Sequence, residues 1–278
     1  LQAKSQFNNS GEFFELFFPS LTAMVGFWAT LTLNISDFTR YAKNQRAQVI
    51  GQLSGLPTTM TLFAFIGVAV TSATIVIFGE AIWDPVVLVR RFDSPVLVFF
   101  SMIAVVIATI STNAAANVVG PANSFSNMWP SRIDFKRGGY ITGIIGIVMM
   151  PWKLLADPSG YIFTWLIGYS ALLGPVIGII LVDYYLVRKT ELNLMDLYRR
   201  NGQYAAVNIR ALIALFLGVM PNVPGFLVQT GIFQGSGLLI DMYNYAWFIG
   251  LAIAGLSYWA MMRGRGVSSS DSATGAET

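Results

Sequence analysis

Long stretches without a charged residue constrain this 278-residue chain more than any other feature of its sequence. Seven such runs follow one another, at positions 16–36, 47–79, 94–131, 138–152, 158–182, 211–240 and 242–262. About 20 apolar residues cross the hydrocarbon core of a bilayer as a helix. Six runs reach that length. The fourth does so only if it extends to Ala156, with the Lys153 side chain reaching back to the interface. The runs predict an all-α membrane protein with seven transmembrane helices.

The composition excludes several classes of protein. Charged residues make up 11% of the chain, whereas a soluble domain carries about 25%. The sequence contains no cysteine and no histidine, which removes thiol nucleophiles, thiolate metal sites and the commonest general base. A membrane enzyme would need an ionisable group at membrane depth, and none lies in the middle of a run. We therefore expect neither an enzyme nor a bound cofactor.

The basic residues orient the chain. Thirteen of the 17 lysines and arginines follow the first, third, fifth and seventh runs, so they fall on one side of the membrane. The positive-inside rule makes that side cytoplasmic. We expect a multi-pass protein of the cytoplasmic (inner) membrane, with its N-terminus outside and its C-terminus in the cytoplasm. The basic surplus is then topological, and no nucleic acid partner is expected.

The ends and connections divide the sequence further. We expect a polar extracytoplasmic start at 1–12, a cytoplasmic connection at 188–208 with a short helix around 195–199, and a disordered tail at 266–278. The segment 81–91 is expected to lie along the outer interface, and Pro221 and Pro224 to break the sixth run as a kink or a loop. The chain begins with Leu1 and has an odd number of runs, which favours a piece of a larger protein.

Polar residues cluster in the third run. Ala108, Ser111 and Thr112 share one helical face, where two hydroxyls and a carbonyl freed by local unwinding would suit a small alkali cation. Alternatively, the hydroxyls bond carbonyls of their own helix and the small residues allow close packing. The residues alone favour the second interpretation.

Two further side chains, Asn117 and Trp28, each suit either ligand binding or packing within the protein. The Asn117 carboxamide offers a donor beside an acceptor, which complements a cyclic amide or ureide, or else forms an interhelical hydrogen bond. Asn113 and Asn123 compete with it for either role. Trp28 lies in the middle of the first run, where it packs in the bundle or stacks against a flat ring.

Other residues suggest gating and the type of cargo. Asp37 and Arg40 are spaced to pair at the cytoplasmic edge. Gly174 and Pro175 loosen the fifth run, as a flexible gate or as a closely packed helix. The absence of charge in the middle of the runs favours a neutral cargo. A channel or a structural membrane subunit is the alternative, although a channel would show a continuous polar stripe.

Four stretches of the sequence resemble the nucleobase–cation symporters, also called cytosine–purine permeases. They are GFWATLTLNISDFTRYA at 26–42, ATISTNAAANVVGPA at 108–122, MPWKLL at 150–155 and GPVIGIILVDYYLVRK at 174–189. The resemblance covers about 16–265 and is strongest to the branch of allantoin, hydantoin and uracil permeases, with allantoin permeases nearest.

The resemblance implies a fold of twelve helices, the first ten forming two inverted five-helix repeats. This chain would then contain helices six to twelve. Residues 13–187 would form the second repeat and 209–265 the two C-terminal helices. The five N-terminal helices would be missing partners.

The resemblance also implies roles for individual residues. Ala108, Ser111 and Thr112 would hold sodium, with a proton as the alternative coupling ion. Trp28 would stack on the substrate ring and Asn117 would hydrogen-bond it. Phe27 stands where sodium-coupled relatives have a glycine whose backbone contacts substrate.

Together these features predict cation-coupled symport of a small neutral nucleobase-like or ureide ring. Allantoin is the first candidate, and uracil, hydantoin or a cytosine or purine is the alternative.

Overall fold

The computed structural model describes residues 7–197, 199, 202, 204 and 207–263, without the side chains of Leu154 and Leu155. These residues form α-helices joined by short π-helical and 3-10 turns, and contain no β-strand. The helices of the first half are α1 (Ser10–Asn34), α2 (Ser36–Thr39), α3 (Gln45–Phe78), α4 (Pro85–Val89), α5 (Pro95–Asn113), α6 (Val119–Met128) and α7 (Phe135–Val148). Those of the second half are α8 (Pro151–Leu155), α9 (Ile167–Leu181), α10 (Leu194–Leu197), α11 (Ile209–Val219), α12 (Val223–Gln229), α13 (Gly237–Asn244) and α14 (Ala246–Met262).

Five continuous helical segments of the described residues are long and apolar enough to cross a membrane. They are Ser10–Asn34, Gln45–Phe78, Pro95–Met128, Gly160–Val187 and Ile209–Gln229. The pair α13–α14 passes the same test together but bends by 75° between its two helices. The all-α membrane architecture is therefore confirmed, with five such helices, or six if the bent pair is one span, in place of the expected seven.

The difference lies mainly in the fourth run. Helix α7 has 14 residues and ends at Val148, and Met150 adopts a left-handed backbone with a φ of 48°. A residue with positive φ interrupts the i to i−4 hydrogen-bond ladder. The expected extension of this run to Ala156 as one helix is therefore wrong, because α8 begins separately at Pro151.

Polar residues between the apolar runs begin the helices. Asn44, Ser94 and Asp134 cap α3, α5 and α7, with each side chain accepting a hydrogen bond from a backbone N–H of the first turn. Such caps satisfy donors that a helix leaves unpaired at its start. Helix α3 ends at Gly79, whose φ of 77° is the left-handed conformation that glycine adopts readily.

The chain divides into two compact units, and the first comprises residues 1–33 and 150–278. Its centre is a cluster of buried residues from α1, from the helical segment Gly160–Val187 and from the bend between α13 and α14, namely Ala23, Leu166, Ile167, Ala171, Tyr243 and Ala246. Buried hydroxyls tie these elements together. Thr22 donates to the carbonyl of Asn244 at 2.6 Å, and Ser170 donates to the carbonyl of Thr22 at 2.9 Å.

Glycines bring the helices of this unit into close contact. A Cβ placed on Gly174 would lie 2.5 Å from the carbonyl oxygen of Trp247, and one on Gly178 would overlap the carbonyl of Leu251. Helices α9 and α14 therefore pack backbone to backbone, the arrangement that small residues permit in membrane proteins. Gly174 thus lies in a closely packed helix contact, and the flexible gate at Gly174 and Pro175 stays a prediction.

The second unit comprises residues 34–149. Its closest helix contact joins α6 and α7, where a Cβ on Gly138 would lie 2.6 Å from the carbonyl oxygen of Ala122. Helices α3 and α5 expose most of their apolar side chains within this unit. A bilayer tolerates such exposure because hydrocarbon replaces water around the helix.

The expected connections agree in part with the structure. Helix α4 lies in the segment 81–91, and α10 occupies Leu194–Leu197, close to the expected short helix at 195–199. The prolines of the sixth run produce a single 3-10 turn, Met220–Asn222, after which the chain continues as α12, so the break is a local irregularity and not a loop. The start of the chain up to residue 6 and the tail 266–278 lie outside the described residues.

Candidate functional site

The aromatic pair Phe27 and Trp28 lies in the middle of α1, which is continuous from Ser10 to Asn34. The two rings meet edge to face, with 5.6 Å between their centroids and an angle of 87° between their planes. Phe27 is 52% exposed and Trp28 is half-buried. Part of the indole surface is therefore exposed and could meet a flat ring, as an aromatic platform requires.

Gly26, the residue before this aromatic pair, lies in a close contact between α1 and a neighbouring helix. A Cβ on Gly26 would overlap the hydroxyl of Ser170 and would lie 2.6 Å from the carbonyl oxygen of Leu166. No larger side chain fits between α1 and the neighbouring helix at this point. Gly26 therefore lets α1 pack closely against the helical segment Gly160–Val187 one residue before the aromatic pair.

Ala108, Ser111 and Thr112 lie in the last two turns of α5 and are exposed within the second unit. Ser111 donates its hydroxyl to the carbonyl of Ala108, with 3.1 Å between the oxygens. This is a local bond of the kind expected for a serine with no ligand. The sequence suggested that local unwinding frees a backbone carbonyl here. The backbone around Ala108 is regular α-helix, so no such unwinding is seen at this residue.

These residues nonetheless suit a monovalent cation by their chemistry. They offer uncharged oxygens, two hydroxyls and a carbonyl, and a cation placed beside the Ser111 hydroxyl would compete only with one hydrogen bond. No group of three or more acidic, histidine or cysteine residues that would attract a divalent metal is found among the described residues.

The helix changes its winding directly after these residues. Ala114–Val118 form a π-helical turn, which is followed by α6. A π-turn inserts an extra residue into the helical repeat, and such turns occur frequently at functional sites. Asn117 lies in this turn. The sequence analysis singled out Asn117 but did not predict the π-turn that presents it.

A chain of hydrogen bonds orients the two asparagines of this region. Asn117 donates its amide to Oδ1 of Asn113 at 2.8 Å, and Asn113 donates in turn to the carbonyl of Thr109 at 3.0 Å. In the described part of the chain, Oδ1 of Asn117 has no hydrogen-bond partner from the protein. Asn117 therefore keeps an acceptor and one N–H for a ligand. The sequence suggested that Asn113 and Asn117 compete for the same role. In the structure, Asn113 accepts from Asn117 and so positions its amide.

Asn123, the third candidate, is not presented in the same way. Its Nδ2 atom is buried and lacks a hydrogen-bond partner among the described residues. All the polar candidates, from Ala108 to Asn123, belong to the second unit, whereas Phe27 and Trp28 belong to the first.

The expected gate pair does not form. Within residues 34–149, Asp37 and Arg40 make no ion pair, and the Arg40 guanidinium lies over the ring of Tyr41, with 5.0 Å to its centroid. Both residues lie at the short helix α2, where Asp37 is in the first turn and Arg40 follows the last residue. The guanidinium thus makes a cation–π contact with the next residue of the chain in place of the expected ion pair.

A polar network that the sequence analysis missed lies at the end of the helix Gly160–Val187. The carboxylate of Asp183 accepts from Nε of Arg188 at 2.5 Å and from the hydroxyl of Tyr258 at 2.6 Å. Asn208 donates to the same hydroxyl at 2.9 Å and caps α11 by accepting from the backbone N–H of Ala211. One carboxylate thus joins three segments that are far apart in the sequence.

The network raises the pKa of the Arg188 guanidinium. Burial alone would lower the pKa of Arg188, but its hydrogen bond to Asp183 and the charge of that carboxylate outweigh burial and raise it. The Arg188 guanidinium also lies over the ring of Tyr204, with 4.6 Å to the centroid. Asp183 therefore favours the charged form of Arg188.

A sequence profile of permeases for cytosine/purines, uracil, thiamine and allantoin matches residues 2–250. The chain belongs to this family. The resemblance found in the four sequence stretches is therefore confirmed, and the family is one of permeases rather than enzymes.

Individual relatives show the same relationship for this permease chain. It is 48% identical over 259 residues to a purine-uracil permease of Arabidopsis thaliana, covering 91% of this chain and 43% of that protein. It is 42% identical over 262 residues to an allantoin permease of Bacillus subtilis (strain 168), and the match covers 93% of this chain and 51% of that permease. The permease chain thus spans about half the length of these relatives.

A solved structure supports the fold. The inward-facing conformation of Mhp1 is similar to this permease chain, with a TM-score of 0.66 and 27% sequence identity. The likeness covers 89% of this chain and 51% of that one. The all-α transporter architecture implied by the resemblance is therefore confirmed.

Proposed function

We propose that this protein is a cation-coupled secondary transporter that carries a small, neutral, nucleobase-like or ureide ring across the cytoplasmic membrane. The observation that carries the proposal is the Asn117 amide, which is presented on a π-turn and oriented by Asn113 with an acceptor and a donor left over. Membership of the permease family supports transport as the activity.

Asn117 is proposed as the residue that recognises the ring. Cyclic ureides and pyrimidines carry an N–H beside a carbonyl, and a carboxamide pairs with that edge through two hydrogen bonds. A bound ring that leaves this amide unpaired would lose about 1–3 kcal/mol, which is enough to discriminate against rings that lack the N–H.

Trp28 is proposed as the stacking surface, with Phe27 beside it. Its indole is partly exposed and meets the Phe27 ring edge to face. Stacking on an aromatic face recognises any flat ring and does not require a charge. The lack of acidic and basic residues in the middle of the helices supports a neutral cargo.

Ala108, Ser111 and Thr112 are proposed as the cation ligands from this chain. Uncharged oxygens favour sodium as the coupling ion. A proton is the alternative, but it would need a titratable group outside these three residues. Further ligands and substrate contacts are proposed to come from five additional helices that precede this chain.

Allantoin is the first substrate candidate, and the allantoin permease of Bacillus subtilis, at 42% identity, supports it. A purine or uracil is the second candidate, favoured by the purine-uracil permease of Arabidopsis thaliana at 48% identity. Hydantoin and cytosine remain further alternatives in the same class of flat rings. We propose an extracytoplasmic N-terminus and a cytoplasmic C-terminus for this chain, as the distribution of basic residues indicates.

Uptake by cells that express the full-length protein tests the proposal. Radiolabelled allantoin, uracil, hydantoin, cytosine and a purine are compared, each with and without external sodium. The proposal expects accumulation of at least one ring in the presence of sodium, and accumulation of none of the five rings would overturn it.

A further inference from the structure

A cavity of 740 Å³ lies along the first half of the helix Gly160–Val187 and along the α11–α12 segment. All of its lining residues belong to the first unit, and none of them is a candidate contact for the substrate or the coupling ion. The volume is within the range of about 300–1,000 Å³ that small-molecule sites occupy. The cavity is therefore large enough for a ligand other than the proposed cargo.

The two walls of this cavity run in opposite directions. A Cβ on Gly168 would lie 3.2 Å from the Phe226 ring, and one on Gly218 would lie 3.0 Å from the Pro175 side chain. Gly168 thus lies beside Phe226, and Pro175, later on the first wall, lies beside Gly218, which is earlier on the second. Residues that follow Phe226 therefore lie towards Gly160, at the start of the first wall.

This arrangement separates polar from apolar lining residues. One end of the cavity is lined by charged and polar side chains, namely Lys153, Asp157, Gln229 and Thr230. The other end is lined by Ala171, Leu172 and Val219. Asn222 also borders the cavity, but its side chain is buried and its amide nitrogen donates to the carbonyls of Gly218 and Ala246. A ligand with a polar head and an apolar body matches this gradient.

The length of the cavity favours a hydrocarbon chain over a single ring. Its lining residues on the first wall extend from Gly160 to Leu172, which at about 1.5 Å per residue is about 18 Å along the helix. One leaflet contributes about 15 Å of hydrocarbon to a bilayer. Aromatic side chains of Tyr161, Trp165 and Tyr169 follow one another along this length at four-residue intervals.

The charges at the polar end are available to a ligand. Within the described residues, Lys153 makes no ion pair with Asp157 or with any other carboxylate. Oδ1 of Asp157 accepts from the backbone N–H of Gly160 at 3.0 Å, which fixes the position of this carboxylate. An ammonium and a carboxylate that do not neutralise each other complement the phosphate and the amine of a zwitterionic headgroup.

We propose that this cavity binds one phospholipid with a primary-amine headgroup, of the phosphatidylethanolamine type. The acyl chain lies along Tyr161, Trp165 and Tyr169 towards Leu172. Lys153 contacts the phosphate and Asp157 accepts from the ammonium. The site is independent of the proposed transport function, because it shares no residue with the substrate or cation contacts.

Native mass spectrometry of the full-length protein tests this site. Detergent-purified protein is stripped of lipid and titrated with phosphatidylethanolamine or phosphatidylcholine. We expect one phosphatidylethanolamine to be retained per protein in preference to phosphatidylcholine, whose quaternary ammonium has no N–H. Leu172→Trp fills the apolar end and is expected to reduce retention by about tenfold, the effect of losing one well-packed contact region.

Matched variants separate the site from general effects of substitution. Ile180→Trp changes a half-exposed residue of the same helix outside the cavity and should retain the lipid as the unmodified protein does. Asp157→Asn keeps an acceptor for the Gly160 N–H but removes the charge, so it should abolish the preference between the two headgroups.

Three results would overturn the proposal. The first is equal retention by Leu172→Trp and the unmodified protein. The second is retention without headgroup preference, which indicates annular lipid only. The third is displacement of the lipid by millimolar allantoin or uracil, which assigns the cavity to the cargo instead.

Discussion

Nδ2 of Asn117 donates a hydrogen bond to Oδ1 of Asn113, with 2.8 Å between the two atoms. The bond holds the carboxamide of a residue in a π-turn against the preceding α-helix. It uses one of the two donors of Asn117 and leaves its acceptor for a ligand. The orientation of this amide is therefore built into the chain before any substrate binds.

Removal of the Asn117 amide should abolish uptake in the full-length protein. Asn117→Ala loses both substrate hydrogen bonds, and Asn127→Ala, an exposed asparagine at the end of α6, should leave uptake unchanged. Initial rates of radiolabelled uptake, normalised to protein in the membrane, measure this difference. Normal uptake by Asn117→Ala would remove Asn117 from the substrate site.

Asn113→Ala should have a smaller effect on the same assay. It removes the acceptor that orients Asn117 but no proposed substrate contact. One neutral hydrogen bond contributes about 0.5–1.5 kcal/mol, so the KM for the ring should rise about two- to tenfold. The maximal rate should be unchanged. A loss of maximal rate without a change in KM would show that Asn113 acts in another way.

The hydroxyls of Ser111 and Thr112 should set the sodium requirement. In Ser111→Ala and in Thr112→Val, the sodium concentration for half-maximal uptake should rise about tenfold, which corresponds to about 1.4 kcal/mol. Uptake at saturating sodium should be retained. Ser101→Ala, three turns earlier on α5, is the matched control. An unchanged sodium requirement in both variants would exclude these hydroxyls as ligands.

The contact between α9 and α14 should tolerate no side chain at its centre. Gly178→Leu places a Cβ against the carbonyl of Leu251, and overpacking of this kind costs about 1–3 kcal/mol. Gly55→Leu on α3 meets open space and serves as the control. Thermal unfolding of both variants in detergent should show a lower Tm for Gly178→Leu alone. A similar Tm for the two variants would contradict the observed packing.

The network around Asp183 should stabilise the protein. Tyr258→Phe removes the hydroxyl that joins Asp183 to Asn208, and loss of such a buried group costs about 1–3 kcal/mol. Tyr185→Phe changes an exposed tyrosine two residues after Asp183 and should have little effect. Thermal unfolding again compares the two. Equal stability would show that the Tyr258 hydroxyl contributes nothing.

The same network predicts how stability depends on pH. The folded-state pKa of Arg188 is raised above its usual value, so its contribution is present at lower pH and is lost only as pH rises through that raised pKa. That value lies above the range in which the protein is studied. We therefore expect the difference in Tm between the unmodified protein and Arg188→Gln to be the same at about pH 7 and about pH 9. A difference that disappears by pH 9 would contradict the ionic pair.

Apolar runs were sufficient to predict most helices. Asn44 and Asp134 lie between runs and Ser94 begins the third run, and all three cap helices in the structure. The fourth run was the exception. Hydropathy continues past Val148, but the left-handed backbone of Met150 ends the helix, and methionine gives no sequence signal for that conformation.

The residues of the proposed site stand out in the sequence, but their arrangement does not. Ser111, Thr112 and Asn117 stand out because polar groups are costly in a bilayer. The π-turn at Ala114–Val118 depends on backbone packing, and an alanine run fits either helix type. The link between Asp183 and Tyr258 spans 75 positions, a separation over which no local spacing rule applies.

Uptake by the unmodified full-length protein, measured beside Asn117→Ala with and without sodium, decides whether this amide recognises the cargo of a cation-coupled transporter. We expect accumulation of radiolabelled allantoin, or of uracil or a purine in its place, that depends on an inward sodium or proton gradient. We expect Asn117→Ala, present in the membrane at the same level, to accumulate none. Accumulation that persists when both gradients are dissipated, or that Asn117→Ala supports at the full rate, would contradict this expectation.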